Sequence, residues 1–564
     1  MAAARADLGA RASAEERDER MFAASETSSV SSEAELLARS APIGPLFDRG
    51  RSGSLDVTAT DDDDPLHIGG LDHMGRRPWH PRSSRWRRAA RYVGAALAIA
   101  LLLALALRAL PRRRTGVGAR VDVFVARTER GYERGCFRIP ALLAVPRKEQ
   151  PASADASART RLLAFAEGRR VGCTDAGAID VVMRSSDDGG RSWSALRVVT
   201  TGGAAGYSGE ATVGNPTPIF DARNDRVLLL LTANRAEDSE AAIISRLAAG
   251  SRDVLVVHSD DRGESWSRPR NITADVKLRD WTWYATGPGA GIQLRSGRLV
   301  APCNHVVTSE RPPSVRHESH AILSDDGGLT WRLGGLAAAW TNEATVAELP
   351  HADVLVLNCR QMAGARRRVV MRSTDGGESW AHAGYDAELV EPGCQGHLLA
   401  LPARAHPPLR SGGLFFSNPA DPHARRMLAL RFRPSLAGAL ARNGSAAASV
   451  GAPGSVMRVG PIAAHTPPSS GPVAAGGEIA DARWRGQGGW QEPMLIHPGP
   501  AAYSAMALIG DDRLGVLYEN GAALPIERIS LTVVAFGAFE AAAAANAAAA
   551  EASGRASSSP RGVS

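Results

Sequence analysis

Three groups of residues have types and spacings that could do familiar chemistry. Gly287, Gly289 and Gly291 alternate with other residues, but no helical pattern follows them, so they do not predict a dinucleotide-binding loop. His317 and His320 are three residues apart, which is not the spacing of the zinc-binding helix of metalloproteases. The 14 histidines show no ligand pattern, and the five cysteines include no Cys-x-x-Cys pair. We therefore predict no metal and no cofactor, and the odd cysteine count assigns no disulfide.

One short stretch, Ala166–Asp180, is rich in carboxylates, arginines and glycines. Gly172 and Gly177 flank Asp175 and would let a loop that carries it move. Asp180 is a rival carboxylate, but it alternates into an apolar strand, so we interpret it as structural. Asp175 is thus the carboxylate of this stretch that we place on a loop.

An octapeptide of the form Ser-x-Asp-x-Gly-x-Ser/Thr-Trp occurs four times. Its Ser and Asp can bond to nearby backbone amides and close a tight turn, and its Gly supplies a backbone angle that a β-carbon would resist. Its Trp is large enough to pack the turn onto a neighbouring strand. A short apolar strand precedes each copy, and this recurrence indicates a radial repeat of four-stranded sheets. The copies are Ser186–Trp193, Ser259–Trp266, Ser324–Trp331 and Ser373–Trp380.

The chain between Val121 and Val534 reads as short strands and turns without long amphipathic helices, which predicts an all-β fold. Residues 434–482 are rich in Ala, Gly, Pro and Ser and read as a flexible insert. Further predicted strands are Arg161–Phe165, Val227–Leu231, Leu299–Pro302, Val354–Asn358, Leu414–Ser417 and Leu514–Tyr518.

The octapeptide resembles the Asp box of the sialidase family, and Phe137-Arg-Ile-Pro140 is similar to that family's N-terminal signature. The resemblance runs from about residue 121 to 534, with the insert as its main departure. It implies a six-bladed β-propeller with Asp boxes over residues 118–538. It also implies an exo-alpha-sialidase, which hydrolyses terminal sialic acids from glycoproteins, glycolipids and oligosaccharides.

The substrate implied by this resemblance carries a carboxylate on its anomeric carbon. Arginine suits such a group because its planar fork pairs bidentately with a carboxylate, and the family uses three arginines. Arg138, Arg360 and Arg425 resemble these three, with Arg426 as an alternative to Arg425.

An anionic nucleophile would be repelled by the substrate carboxylate, and sialidases instead use a tyrosine. Tyr503 resembles that nucleophile. A phenol with a pKa of about 10 needs an adjacent base, and Glu343 resembles it. Glu519 resembles the carboxylate that steadies the first arginine.

The family's acid/base group is an Asp on a mobile loop, and Asp175 matches its position. It would protonate the leaving oxygen and then activate water, so that the configuration is retained. Glu167 and Arg169 match the loop's polar contacts to the substrate. Tyr284 either lines the pocket or plugs a sheet, and Asn215 is a possible hydrogen-bonding group near the active face.

The residues before the predicted propeller divide into a tail and a membrane anchor. Residues 1–90 read as disordered and become basic toward their end. Residues 91–110 contain an uncharged run, Tyr92–Leu107, which predicts one transmembrane helix. Residues 539–564 form a tail rich in Ala and Ser. The net charge is +7, of which the first 120 residues supply +4. The charge of the remaining residues is therefore too small to indicate nucleic-acid binding.

More arginine lies before the predicted anchor than after it, so we expect the tail in the cytoplasm and the catalytic part in a lumen or outside the cell. Two glycosylation acceptors, at Asn271 and Asn443, agree with this orientation. The expected partners are sialylated glycans and the membrane. Two alternatives remain open: a trans-sialidase, and a non-catalytic Asp-box propeller that binds sialic acid. The oligomeric state is not determined.

Overall fold

A computed structural model describes residues 117–148, 159–310, 313–403, 409, 412–435 and 489–539. The predicted tail and the membrane anchor at 91–110 lie outside the described residues, as do most of the insert at 434–482, Asn443 and the C-terminal tail beyond Phe539. Within the described ranges, no helix combines the length and apolar character needed to cross a bilayer.

The described chain is all-β, as predicted, with two short helices, α1 (Glu240–Ile244) and α2 (Thr273–Val276). Its strands are β1 (Val121–Val125), β2 (Arg134–Pro146), β3 (Thr160–Arg169), β4 (Val171–Gly172), β5 (Ile179–Ser186), β6 (Arg197–Thr200), β7 (Ala211–Asp221), β8 (Arg226–Arg235), β9 (Asp253–Ser259), β10 (Arg270–Asn271), β11 (Trp281–Thr286), β12 (Ile292–Gln293), β13 (Leu299–Glu310), β14 (Pro313–Ser324), β15 (Arg332–Ala339), β16 (Thr341–Glu348), β17 (Leu355–Gln361), β18 (Arg367–Ser373), β19 (Ala381–Val390), β20 (His397–Leu401), β21 (Gly413–Pro419), β22 (Arg426–Pro434), β23 (Met494–Ile509), β24 (Arg513–Asn520) and β25 (Arg528–Ala535).

These strands pair as antiparallel units of four, and the described residues contain six such units. The units are β2-β3-β5-β6, β7-β8-β9-β10, β11-β13-β14-β15, β16-β17-β18-β19, β20-β21-β22-β23 and β23-β24-β25-β1. The long strand β23 serves two units: its first half pairs with β22 and its second half with β24. The last unit is completed by β1, which pairs with β25 although it comes from the other end of the described chain.

The first strand of each unit, together with β13 of the third unit, takes part in a closed order of contacts. β2 contacts β7, β7 contacts β11 to β13, and β13 contacts β16. β16 then contacts β20, β20 contacts β23, and β23 returns to β2. Side chains from units that are distant in sequence can therefore meet around one centre.

Each octapeptide closes the tight turn that its sequence predicts. In the first copy, Ser186 Oγ donates to Asp188 Oδ1 (2.8 Å), Gly190 N donates to Ser186 Oγ (2.9 Å) and Ser192 Oγ donates to Asp188 Oδ2 (2.6 Å). The same set of bonds recurs in the other three copies. Gly190 has a φ of +87°, and a Cβ there would lie 2.1 Å from Leu531 Cδ2, so a side chain does not fit.

The octapeptide tryptophans pack into the apolar cores that separate neighbouring units. Trp193 packs against the core between the first and last units, and Trp266 against the core between the first and second. Trp331 and Trp380 occupy the next two junctions. Trp490, outside any octapeptide, fills the following one. These residues are therefore part of the scaffold.

A cavity of about 470 Å³ lies among apolar residues of β2, β20 and β23. Its lining includes Leu142, Leu398 and Met506, and it includes none of the predicted site residues. The predicted site therefore lies outside this cavity.

Candidate active site

The structure brings all nine predicted site residues into one connected cluster. They come from four of the six units and lie at strand ends or in the adjoining loops. Arg138 is on β2, Glu167 and Arg169 on β3, Asp175 on the loop between β4 and β5, Glu343 on β16, Arg360 on β17, Arg425 on the loop between β21 and β22, Tyr503 on β23 and Glu519 on β24.

At the centre of the cluster, the phenol of Tyr503 is hydrogen-bonded to the carboxylate of Glu343. Tyr503 Oη donates a hydrogen bond to Glu343 Oε1, and Arg360 Nη1 donates to the other oxygen, Glu343 Oε2, at 2.9 Å. Burial raises the pKa of Tyr503 above its ordinary value, the charge of Glu343 raises it further, and Arg360 and Arg425 oppose both effects. The phenol is therefore neutral at rest, and Glu343 is positioned to accept its proton.

A bidentate ion pair holds Arg138 against this centre. Arg138 Nε and Nη2 donate to the two carboxylate oxygens of Glu519, at 3.1 and 3.3 Å. Glu519 is fully buried and also accepts from the backbone N of Ile139 (2.9 Å) and of Tyr503 (3.1 Å). Burial would lower the pKa of Arg138, but the carboxylates of Glu519 and Asp175 outweigh it and raise that pKa. Glu519 thus fixes a permanent cation beside Tyr503.

The structure separates the two rivals for the third arginine position. The guanidinium of Arg425 lies 5.8 Å from the centre of the Tyr503 ring, and Arg425 Nη2 donates to Gly393 O at 3.2 Å. Arg426 Nε donates to Asp421 Oδ2 at 2.6 Å, and its side chain is 58% exposed. Arg425 therefore joins Arg138, whose guanidinium lies 5.5 Å from the same ring centre.

Asp175 lies at the rim of the cluster. Its Oδ1 is 2.7 Å from Arg169 Nη2 and 3.5 Å from Arg138 Nη1, and its side chain is 59% exposed. Desolvation would raise the pKa of Asp175, but Arg169 and Arg138 outweigh it and lower the pKa to about 2. The carboxylate is ionised and remains open to solvent and to a ligand.

Glu167 and Arg169 lie below Asp175, and both are nearly fully buried. Arg169 Nη2 donates to Glu167 Oε2 at 2.8 Å, and Arg169 Nη1 donates to the carbonyl of Cys173. Glu167 Oε1 accepts from Asn215 N at 2.9 Å. In the structure, Glu167 and Arg169 thus contact other groups of the protein, including Asp175. Contact of this pair with the substrate stays a prediction.

Burial bears on the predicted roles of Asp180 and Tyr284. Asp180 is buried and accepts from Tyr132 Oη (2.9 Å) and Arg170 Nε (2.8 Å), as a structural residue would. Tyr284 is fully buried and its hydroxyl bonds to His320 Nε2 at 2.9 Å, so it plugs its sheet rather than lining the pocket.

The sequence did not predict the residues that hold the backbone of the cluster in place. Gln395 bonds to both backbone groups of Ser504, with Gln395 Nε2 donating to Ser504 O (3.0 Å) and Ser504 N donating to Gln395 Oε1 (3.0 Å). This bond pair fixes the residue that follows Tyr503. No local pattern marks Gln395, because its partner is more than a hundred positions away.

A second group missed from the sequence surrounds Arg252. Its guanidinium lies 4.1 Å from the Trp283 ring centre, and its Nη2 donates to Asn215 Oδ1 at 2.7 Å. Glu240 at the start of α1 is exposed and interacts electrostatically with Arg252 and Asp175. The prediction that Asn215 forms hydrogen bonds near the active face agrees with these contacts.

The cysteine pairing was also undetermined from sequence. Cys136 and Cys173 form a disulfide with a Cα–Cα distance of 5.6 Å. Cys303, Cys359 and Cys394 are free and buried. Among the described residues, no cluster of His, Cys, Asp and Glu has the arrangement of a metal site.

Comparison with known proteins points to one family. A family model described as a BNR repeat-like domain matches residues 160–433. Sialidase-3 of Homo sapiens is 29% identical over 420 residues, which cover 70% of this chain and 88% of that protein. The exo-alpha-sialidase of Aspergillus fumigatus is 30% identical over 314 residues, which cover 52% of this chain and 67% of that protein.

Solved structures agree at the level of fold. The Hadza microbial sialidase Hz136 superposes with a TM-score of 0.54 at 23% identity, covering 74% of this chain and 69% of that one. The intramolecular trans-sialidase from Ruminococcus gnavus gives a TM-score of 0.51 at 15% identity, covering 74% and 97%.

The all-β fold, the arginines and carboxylates around Tyr503 and the matched relatives together define a glycoside hydrolase. The chain belongs to the sialidase family.

Proposed function

We propose that this protein is an exo-alpha-sialidase that retains configuration and uses Tyr503 as its nucleophile. The observation that carries the proposal is the hydrogen bond from Tyr503 Oη to Glu343, enclosed by the guanidiniums of Arg138, Arg360 and Arg425. A buried phenol paired with a base and surrounded by three cations suits attack on an anionic sugar.

The three arginines supply the binding energy for the substrate carboxylate. Arg138 and Arg360 already pair with Glu519 and Glu343, so their orientations are set before the substrate arrives. A preorganised guanidinium cluster can accept the sialic acid carboxylate through charge-assisted hydrogen bonds. Because that carboxylate adjoins the reacting carbon, a neutral phenol can approach where an anionic side chain would be repelled.

Attack by Tyr503 requires the loss of its proton to Glu343 as the new bond to the anomeric carbon forms. The adjacent cations then stabilise the phenolate character that develops on the oxygen. The glycosidic bond breaks, and its oxygen takes a proton from Asp175. Water activated by the resulting Asp175 carboxylate releases the sugar with its original configuration.

Asp175 must be protonated for the first step, although its pKa is low before the substrate binds. Arg138 is one of the three arginines, with Arg169 and Arg425, that lower this pKa. A substrate carboxylate bound to Arg138 adds negative charge beside Asp175, and this raises the pKa of Asp175. Substrate binding itself would therefore prepare the acid.

We also propose that the fold is a six-bladed β-propeller with the site at one end of its central axis. Three observations support it: the six four-stranded units of the described residues, the closed order of contacts from β2 through β7, β11, β13, β16, β20 and β23 back to β2, and the pairing of β1 with β25. An experimental structure would test this, and an open arrangement of the units would contradict it.

The proposed reaction is tested by its products. Purified protein should convert sialyllactose to free sialic acid and lactose, and the first anomer seen by ¹H NMR should be the α form. Addition of excess labelled lactose distinguishes the alternative, because a trans-sialidase would transfer the sialyl group to the labelled sugar. A first product in the β form would contradict retention, and no release at all would contradict the proposed activity.

The location of the protein is a further proposal. Disulfides persist in oxidising compartments, so the Cys136–Cys173 bond supports a luminal or extracellular catalytic part, as does the exposed glycosylation acceptor Asn271. We propose a single-pass protein anchored by residues 91–110. On intact vesicles, an added protease should remove an N-terminal tag and leave the catalytic part protected. A protected N-terminal tag would contradict this orientation.

A further inference from the structure

The one disulfide in the described residues links the strand that carries Arg138 to the loop that carries Asp175. Cys136 lies two residues before Arg138 on β2, and Cys173 lies two residues before Asp175. Cys136 is fully buried, so this end of the bond is fixed in the core. The bond therefore joins two parts of the proposed site that act on the same substrate.

The backbone before the loop is already held closely to β2. Gly135 and Gly172 are partners in a short parallel pairing of β2 with β4. A Cβ at Gly135 would lie 1.7 Å from the carbonyl oxygen of Arg169, so the two segments are in direct backbone contact. The disulfide continues this attachment by one residue, to Cys173.

Beyond Cys173 the loop has few attachments until Gly177, whose carbonyl accepts from Thr212 Oγ1 at 2.8 Å. A Cβ at Gly177 would meet nothing within 4 Å, and the residue has a φ of +117°. Asp175 is exposed between these two attachment points. Its carboxylate position thus depends on Arg169, on the more distant Arg138 and on the anchor at Cys173.

The geometry points to Cys136–Cys173 as a positioning element that holds the Asp175 carboxylate at the distance and angle needed to protonate the leaving-group oxygen. This inference rests on the proposed sialidase function. It assigns no chemical step to the sulfur atoms. Because Arg169 still binds Asp175 when the bond is absent, we expect partial rather than complete loss of acid catalysis.

The test compares two substrates that differ in their need for a proton. Sialyllactose has a poor leaving group and depends on general acid catalysis, whereas a sialoside of a nitrophenol leaves without protonation. In Cys136→Ser, Cys173→Ser and the double variant, kcat/KM for sialyllactose should fall about tenfold more than kcat/KM for the nitrophenyl sialoside, which is a part of the roughly 10²- to 10⁴-fold effect of general acid catalysis. The double variant should match the single ones, because each removes the same bond.

Three controls make the result specific. Asp175→Asn should show the same selective loss to a greater degree. Cys303→Ala, which removes a buried free cysteine in another unit, should leave the ratio of the two substrates unchanged. Should the serine variants not fold, the wild-type protein is treated with dithiothreitol, which reduces the disulfide to two thiols and is itself oxidised to a cyclic disulfide. Thiol alkylation and mass spectrometry then confirm the reduced pair before the same two assays.

The outcomes separate this inference from the proposed function. An equal loss on both substrates, or no loss, in protein shown to lack the bond would overturn the positioning role and leave the sialidase assignment intact. Wild-type protein inactive on both substrates would overturn the proposed function, and the inference with it.

Discussion

Replacing Tyr503 with Phe is expected to lower kcat/KM for sialyllactose by at least about 10³-fold, or roughly 4 kcal/mol of transition-state stabilisation. The variant keeps the ring on which Arg138 and Arg425 pack and removes only the hydroxyl that bonds to Glu343. The fold should persist, because leaving the Glu343 carboxylate without this donor costs about 1–3 kcal/mol, and Arg360 still pairs with that carboxylate. Steady-state kinetics and thermal unfolding measure the two effects.

A double-mutant cycle shows whether Tyr503 and Glu343 act as a unit. Glu343→Gln alone should lower kcat/KM by about 10²- to 10⁴-fold, as expected for the loss of a base. Combined with Tyr503→Phe it should add little, because the base has no function without the phenol. Tyr385→Phe, on β19 and outside the site, is the matched control and should have near wild-type activity. Wild-type turnover by Tyr503→Phe would rule out this nucleophile.

Replacement of Arg138 should have the second largest effect, and two substitutions separate its causes. Arg138→Lys keeps the positive charge but loses the fork that pairs with Glu519, so we expect kcat/KM to fall about 10²-fold with little unfolding. Arg138→Met leaves the fully buried Glu519 without its cation, and the free energy of unfolding should fall by about 3–5 kcal/mol. Kinetics and chemical denaturation measure these changes.

Arg426→Lys provides the control for Arg138. The guanidinium of Arg426 is mostly exposed and pairs with Asp421 rather than facing Tyr503. Neither activity nor stability should change by more than a small factor, since exposed ion pairs contribute about 0–1 kcal/mol. A large activity loss in Arg426→Lys with none in Arg425→Lys would reverse the assignment of the third arginine.

The local parts of the fold could be predicted from sequence because their causes lie within a few residues. The Ser186–Trp193 turn closes through bonds between positions two to four apart, so its pattern carries its structure. Short apolar runs predicted strands such as β3 and β8. Each of these two strands begins one residue before its predicted start and ends four residues after its predicted end. The resemblance of short motifs to those of the sialidases named the nine site residues that the fold brings together.

Residue types and short-range spacing were enough to predict the all-β class, the octapeptide turns and the candidate chemistry. The packing of the folded chain was needed to show that Arg425 rather than Arg426 faces Tyr503, that Cys136 pairs with Cys173, and that Gln395 holds Ser504. Each of these depends on which side chains meet between segments that are far apart along the chain. That meeting is set by how the strands and sheets pack against one another, and no stretch of the chain encodes it alone.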